Sequence, residues 1–348
     1  MAFRSTSATL AGAFAAALAG ALAGASGAAF AQQADAGPFR DGKNLTMLIG
    51  FGPGGGYDRW GRTVARHIGK HLPGKPNAVS QNMPGAGSYN AANNIFSVAP
   101  KDGTVMGIIA RDAPLGPLTG QTGARFDPLK ISWIGTPTTE TNVCIARAQA
   151  EVKTVADLQT KELILGETGA GTGTRSYPKA LSAILGMKFK LIAGFPSSSD
   201  VFLAMERGEV DGICESLDSV HGKKPDWIPK RVVNVLFQGG DQINQEIKDV
   251  PHILQFAKND QQRAEITFLY AGQGIGRPFV APPDLPPARL KMLRDAFNAT
   301  MKDPEFIAEV QKQNLDLDPR TGEQLEKLIR EIYATPKPIV DKIGELIK

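Results

Sequence analysis

The groups that most often carry chemistry are scarce in this chain. Its 348 residues include only 2 cysteines and 4 histidines, and aromatic residues make up 7%. It has no redox dithiol spacing, no H-E-x-x-H, no G-x-S-x-G elbow and no paired-acid motif. His67 and His71 stand four residues apart but lie with Arg66 and Lys70 on a polar helix face, without the glutamate of a zinc peptidase. His221 and His252 fall in polar segments that read as solvated loops. We therefore expect no enzyme, no metal and no cofactor. A basic run is missing too: 39 Lys and Arg stand against 35 Asp and Glu, and the densest groups are Arg59/Arg62/Arg66 and Lys223/Lys224. That scatter argues against nucleic acid as a partner. With 42% hydrophobic and 21% charged residues the composition excludes disorder, and 38 Gly and 24 Pro without a period exclude collagen.

The first 31 residues differ from the rest. Arg4 precedes an Ala/Gly/Leu run over 10–25, and Ala29-Phe30-Ala31 is an A-x-A pattern before Gln32. This reads as an export signal cleaved after Ala31. The run is short and weakly apolar against the ~20 residues of a membrane span. No Cys follows it, so the expected product is exported, periplasmic and without a lipid anchor. Cys144 and Cys214 sit in apolar strand-like runs, 142–146 and 210–214. An exported chain permits a disulfide between them, and two buried thiols would fit the same runs.

Strand and helix patterns alternate, which predicts α/β layers with parallel sheet. Strands are expected at 45–51, 77–81, 105–110, 131–135, 142–146, 163–166, 189–193, 210–214 and 232–237, with helices at 57–71, 89–97, 155–158, 174–185 and 200–207. In the first helix Trp60, Val64 and Ile68 share one face. From Pro286 onward the chain reads as helical, with a capping box at Thr321 and Gln324.

Two glycine-rich strand-to-helix turns are the sharpest local features. Gly52-Pro53-Gly54-Gly55-Gly56-Tyr57-Asp58 presents backbone N–H groups at the positive end of a helix, with Asp58 placed to cap free amides. The plainer alternative is a tight turn with a capping Asp. The second turn, Gly166 to Thr174, adds Thr168, Thr172 and Thr174 hydroxyls beside Gly169, Gly171 and Gly173. Neither is a nucleotide motif, since Thr172-Gly173 replaces the Lys-Ser/Thr of a P-loop and G-x-G-x-x-G is incomplete. Both favour an anion.

These turns resemble a known family. MLIGFGPGGGYDRWGR is similar to the opening of the tripartite tricarboxylate transporter substrate-binding receptors, the Bug or TctC-like family. Asn82-Met83-Pro84-Gly85-Ala86-Gly87 resembles their N-x-P-G-A-G loop, Ala99 to Thr104 their A-x-x-D-G-Y/T turn, and Val152 to Leu158 their K-T-L-x-D-L helix start. Gly166 to Thr174 resembles G-S-x-G-x-G-S/T, Gly208 to Asp211 resembles G-x-V-D, and Pro286 to Glu305 resembles their C-terminal helices. The motifs follow family order over nearly the whole chain.

The resemblance implies a two-lobed type II periplasmic binding protein fold, with a ligand cleft between α/β lobes that the chain crosses twice. Such receptors pass a small carboxylated ligand to a membrane transporter of one large and one small subunit. They hold the carboxylate through main-chain amides, hydroxyls and water, which accounts for the absence of an obvious arginine clamp. We expect lobe one at 38–138 plus 240–348 and lobe two at 139–239, with crossovers at 136–142 and 238–241, and a monomer. Ligand contacts are expected from Gly54, Gly55, Gly56, Tyr57, Asp58, Gly85 and Ala86 on one side, and from Thr168, Gly169, Gly171, Thr172, Gly173, Thr174, Ser197 and Ser198 on the other. Departures from the family pattern include Tyr57 and Arg111-Asp112. Arg111 either holds a second carboxylate with Asp112 fixing it, or forms a surface pair with Asp112. Glu140 and Glu215 at the cleft would favour a hydroxyl or amine on the ligand. The rivals are an enzyme on the same fold and a receptor that presents its solute to a sensor kinase.

Overall fold

The computed structural model describes Met1 and residues 37–168, 172–195 and 197–348. The export signal read at residues 1–31, apart from Met1, and the contacts expected from Gly169 and Gly171 lie outside the described residues. Two sheets organise the rest. The first has six strands in the order β11-β4-β10-β3-β1-β2 and the second five in the order β7-β6-β8-β5-β9. The first contains β1 (Leu45–Ile49), β2 (Ala78–Asn82), β3 (Val105–Ile108), β4 (Ser132–Thr136), β10 (Phe279–Ala281) and β11 (Arg320–Thr321). The second contains β5 (Asn142–Arg147), β6 (Leu163–Gly166), β7 (Phe189–Ile192), β8 (Gly212–Ser216) and β9 (Val233–Gly239). The α-helices are α1 (Gly56–Ile68), α2 (Tyr89–Ser97), α3 (Leu115–Leu118), α4 (Gly173–Leu185), α5 (Ser198–Arg207) and α6 (Leu217–Lys223), followed by α7 (Asp260–Leu269), α8 (Ala271–Ile275), α9 (Pro287–Thr300), α10 (Pro304–Lys312), α11 (Gly322–Tyr333) and α12 (Lys337–Ile347).

All nine expected strands are present, but the sheets are mixed rather than parallel. In the first sheet β1 runs parallel to β2 and β3, while β10 is antiparallel to both β3 and β4. In the second, β6 is parallel to β7 and β8, while β5 is antiparallel to β8 and β9. The reason is connectivity. Parallel order follows where a helix returns the chain to the same end of a sheet, whereas β5 and β10 enter their sheets from elsewhere in the molecule. The segment expected as a helix at 155–158 is one short 3-10 turn, Ala156–Gln159.

Trp60, Val64 and Ile68 are fully buried against the first sheet, as their spacing predicts. Thr321 and Gln324 make both bonds of the capping box at the start of α11. Between the sheets, one apolar cluster runs from Leu48, Val105 and Trp133 through Ile266, Leu269, Ile329 and Ile343 to Leu181, Leu165 and Leu236. It is continuous because α7 and α12, from the C-terminal part of the chain, pack on α4 of the second sheet's half. Cys144 and Cys214 are directly paired across β5 and β8 and joined as a disulfide, with Cα atoms 3.9 Å apart. His252 is not solvated as expected. It is buried, its Nδ1 accepts from Leu254 N at 3.3 Å, and its Nε2 lies 3.2 Å from the carbonyl of Gly240. His221 is half-buried on α6, 3.4 Å from Glu246.

Candidate functional site

A cleft of about 560 Å³ lies at the C-terminal ends of the parallel strands, where α/β sheets usually bind ligands. Turns from both sheets line it. After β1 come Phe51, Gly52, Pro53, Gly55, Gly56 and Tyr57, and after β2 come Pro84, Gly85, Gly87 and Ser88. Ala110, Arg111 and Asp112 follow β3. The second half contributes Thr168, Thr172, Gly173 and Thr174 after β6, Ser197 and Ser198 after β7, then Glu215, Ser219 and Lys223. A separate void of about 40 Å³ beyond Asp112, under Ile343 and Ile347, holds little more than water.

Of the helices that begin at this cleft, α1 after Gly55, α4 after Thr172 and α5 after Ser197 show no side-chain cap among the described residues. By helix geometry the first amides of each have no intrahelical acceptor. Their dipoles add positive potential at the same place. The Thr168, Thr172 and Thr174 hydroxyls cluster at the start of α4, with Oγ1 separations of 3.3, 2.9 and 2.8 Å. Ser197 Oγ donates to Asp200 at 2.7 Å.

Several expected contacts are placed elsewhere. Asp58 is buried and accepts from Gly54 N at 2.9 Å, Arg62 Nε at 2.9 Å and Asn82 Nδ2 at 2.7 Å. It is the brace of the first turn, and it occupies the Gly54 amide. Gly54, Asp58, Ala86 and Glu140 do not line the cleft. Gly85, Ala86, Gly87 and Ser88 all have left-handed φ, at 121°, 48°, 62° and 78°. That strained run turns Ser88 back so that its Oγ accepts from Ala110 N at 3.1 Å.

Arg111 forms no surface pair with Asp112. It is buried, its nearest approach to Asp112 is 4.0 Å, and its Nη1 donates to Glu140. Glu140 also pairs with Arg277, so one carboxylate bridges two guanidiniums. Arg277 lines the cleft and was not anticipated. One signal was available: it is a lone charge within the apolar and glycine-rich run AGQGIGRPFVAP, where a charge must find a partner. Ser88, Ser219 and Lys223 were likewise missed. Asp112 accepts from Tyr177 OH at 3.1 Å, and Gln273 donates to that hydroxyl at 2.5 Å. Burial pushes the Asp112 carboxyl up despite Arg111, and burial lowers Lys223 although Glu215 opposes it.

Asp218, on α6, has its Oδ2 3.8 Å from Arg277 Nη2. Burial pushes its carboxyl up to about 7, against the pull of Arg277. A raised folded pKa means stability that is present below the unfolded value near 3.8 and lost as pH rises through 7. Wild type should therefore lose more stability than Asp218→Asn between pH 5 and pH 8, by roughly 2 kcal/mol. Parallel melts at the two pH values check this, and equal losses would remove Asp218 as the cause.

The same chain order and architecture recur in known proteins. The model of the tripartite tricarboxylate transporter family receptor matches residues 61–345. A curated relative, the "UPF0065 protein in gbd 5'region" of Cupriavidus necator, is 24% identical over 91% of this chain and 92% of its own. MatC from Rhodopseudomonas palustris, solved with bound malate, has a TM-score of 0.65 at 16% identity, covering 88% of this chain and 99% of its own. A second R. palustris protein, solved with adipate, has a TM-score of 0.66 at 15% identity over 88% and 98%. Their two-lobed periplasmic binding protein fold is the fold found here. The chain belongs to the family of tripartite tricarboxylate transporter receptors.

Proposed function

We propose that this receptor closes on a small di- or tricarboxylate in the 560 Å³ cleft and delivers it to a membrane transporter of one large and one small subunit. The observation that carries this reading is the meeting of three uncapped helix N-termini at one cleft, with amides and hydroxyls supplied from both sheets. A carboxylate satisfies those amides and suits their dipoles. The protein acts by binding and closure, as its family consists of receptors. The malate and adipate found in two structural relatives are in keeping with such a ligand.

In this reading lobe one is 38–138 with 240–348 and lobe two is 139–239, and the ligand bridges them, shifting the population toward the closed form. The chain is exported by the signal cleaved after Ala31 and works as a periplasmic monomer. Among the described residues no helix is long and apolar enough to cross a membrane. The test is a thermal-shift screen over di- and tricarboxylates, amino acids and aromatic acids. A ligand at ~100 times its Kd adds about 2.7 kcal/mol, which moves the melt by several degrees. A melt that no carboxylate shifts overturns the reading.

A further inference from the structure

Arg277 is held in place by features that make sense only together. The preceding Gly276 has φ +67°, and a Cβ there would lie 1.8 Å from the Thr138 carbonyl oxygen, so no other residue fits this turn. The turn is fixed again by Arg277 N, which donates to Thr136 Oγ1 at 2.9 Å. The guanidinium is thereby laid against the start of α1. Its carbon is 4.2 Å from the centre of the Tyr57 ring, and that ring stacks in turn on Phe51 at 4.3 Å. Its Nη1 and Nη2 lie 3.3 and 3.0 Å from where a Cβ on Gly56 would be. A Cβ on Gly56 would crowd the guanidinium, so the glycine lets the arginine approach.

A cation at the positive end of a helix is unfavourable unless an anion joins it. The fold supplies only part of that anion. Arg277 is 2% exposed, and Glu140 pairs with its Nε in charge, though the alignment falls short of a hydrogen bond. Glu140 is shared with Arg111, so the three groups keep one net positive charge. Among the described residues Arg277 Nη2 has no hydrogen-bond partner, and Asp218 Oδ2 stands 3.8 Å from it, beyond hydrogen-bond reach. A buried guanidinium donor left unused beside a cleft is costly.

We infer that Arg277 receives one carboxylate of the ligand directly, at the N-terminus of α1, as the specificity-determining residue for a charged group at that end. This rests on the receptor reading above and goes beyond it. Main-chain amides donate to any polar oxygen, whereas a buried guanidinium discriminates a carboxylate from its neutral amide. The sequence shows no obvious arginine clamp and offers only Arg111 for direct carboxylate contact, whereas Arg277 supplies one from the C-terminal part of the chain.

The experiment is calorimetric titration of wild type, Arg277→Met and Arg277→Lys with succinate, malate, adipate and citrate, and with the half-amides succinamate and adipamate. Circular dichroism confirms that each variant is folded. Wild type should prefer a diacid to its half-amide by at least about tenfold. In Arg277→Met the diacid should weaken by at least that factor and the preference should collapse. Arg277→Lys keeps the charge and the stem, and it serves if the Met variant does not fold. It should weaken diacid binding while retaining part of the preference. Undiminished diacid binding in the variants overturns the inference, as does an equal loss of diacid and half-amide, which marks a purely structural arginine. Wild type that shows no preference for the diacid also overturns it and leaves the receptor reading standing. Wild type that binds none of the four acids overturns the receptor reading itself.

Discussion

A valine at position 55 is expected to lower ligand affinity by at least about a hundredfold, or roughly 2.7 kcal/mol, while the free protein stays folded. Gly55 lines the cleft, and a Cβ built on it meets no atom within 4 Å. Its φ of −78° and ψ of 172° are open to any residue. The isopropyl group therefore enters the cleft rather than the core, in front of the α1 amides. Valine is a poorer N-cap than glycine, so a stability cost of about 1 kcal/mol is expected. Titration with the best ligand of the screen, beside a melt of the free protein, separates the two effects. Unimpaired binding would take the first turn out of the site.

Replacing Cys144 and Cys214 together by alanine should cost about 4 kcal/mol, because the bridge closes a loop with a sequence separation of 70. The bond joins β5 to β8, the pairing that carries Glu215 to the cleft. Both cysteines are fully buried, so the double alanine introduces no polar group. Chemical denaturation of the oxidised protein and the variant measures the difference. A gap under 1 kcal/mol would show that the surrounding sheet alone sets the stability of this half.

Local pattern made much of this molecule legible. The strands at 105–110 and 163–166 appear as Val105–Ile108 and Leu163–Gly166, because apolar runs bounded by Gly or Asp are self-sufficient signals. The glycine turns were equally readable as cleft elements: Gly55, Gly56, Thr168, Thr172, Gly173, Thr174, Ser197 and Ser198 all line it. What stayed hidden depends on distant partners. Glu140 was singled out, yet its role followed only from Arg111 and Arg277 meeting on it. Asp58 was singled out too, but Asn82, from the end of β2, helps make it a brace. The short strands Phe279–Ala281 and Arg320–Thr321 carry too few residues for a pattern, and only their neighbours in the sheet make them strands. His252 looked solvated because nothing nearby in sequence announces the Gly240 carbonyl that it reaches.

The apolar cluster that runs between the sheets through α7, α12 and α4 has a thermodynamic consequence. Domains joined only by linkers melt one by one, but halves that share buried surface unfold as one cooperative unit. In the closure proposed above, this seam serves as the pivot and the cleft opens at the rim away from it. A ligand bound to either half then stabilises the whole cooperative unit.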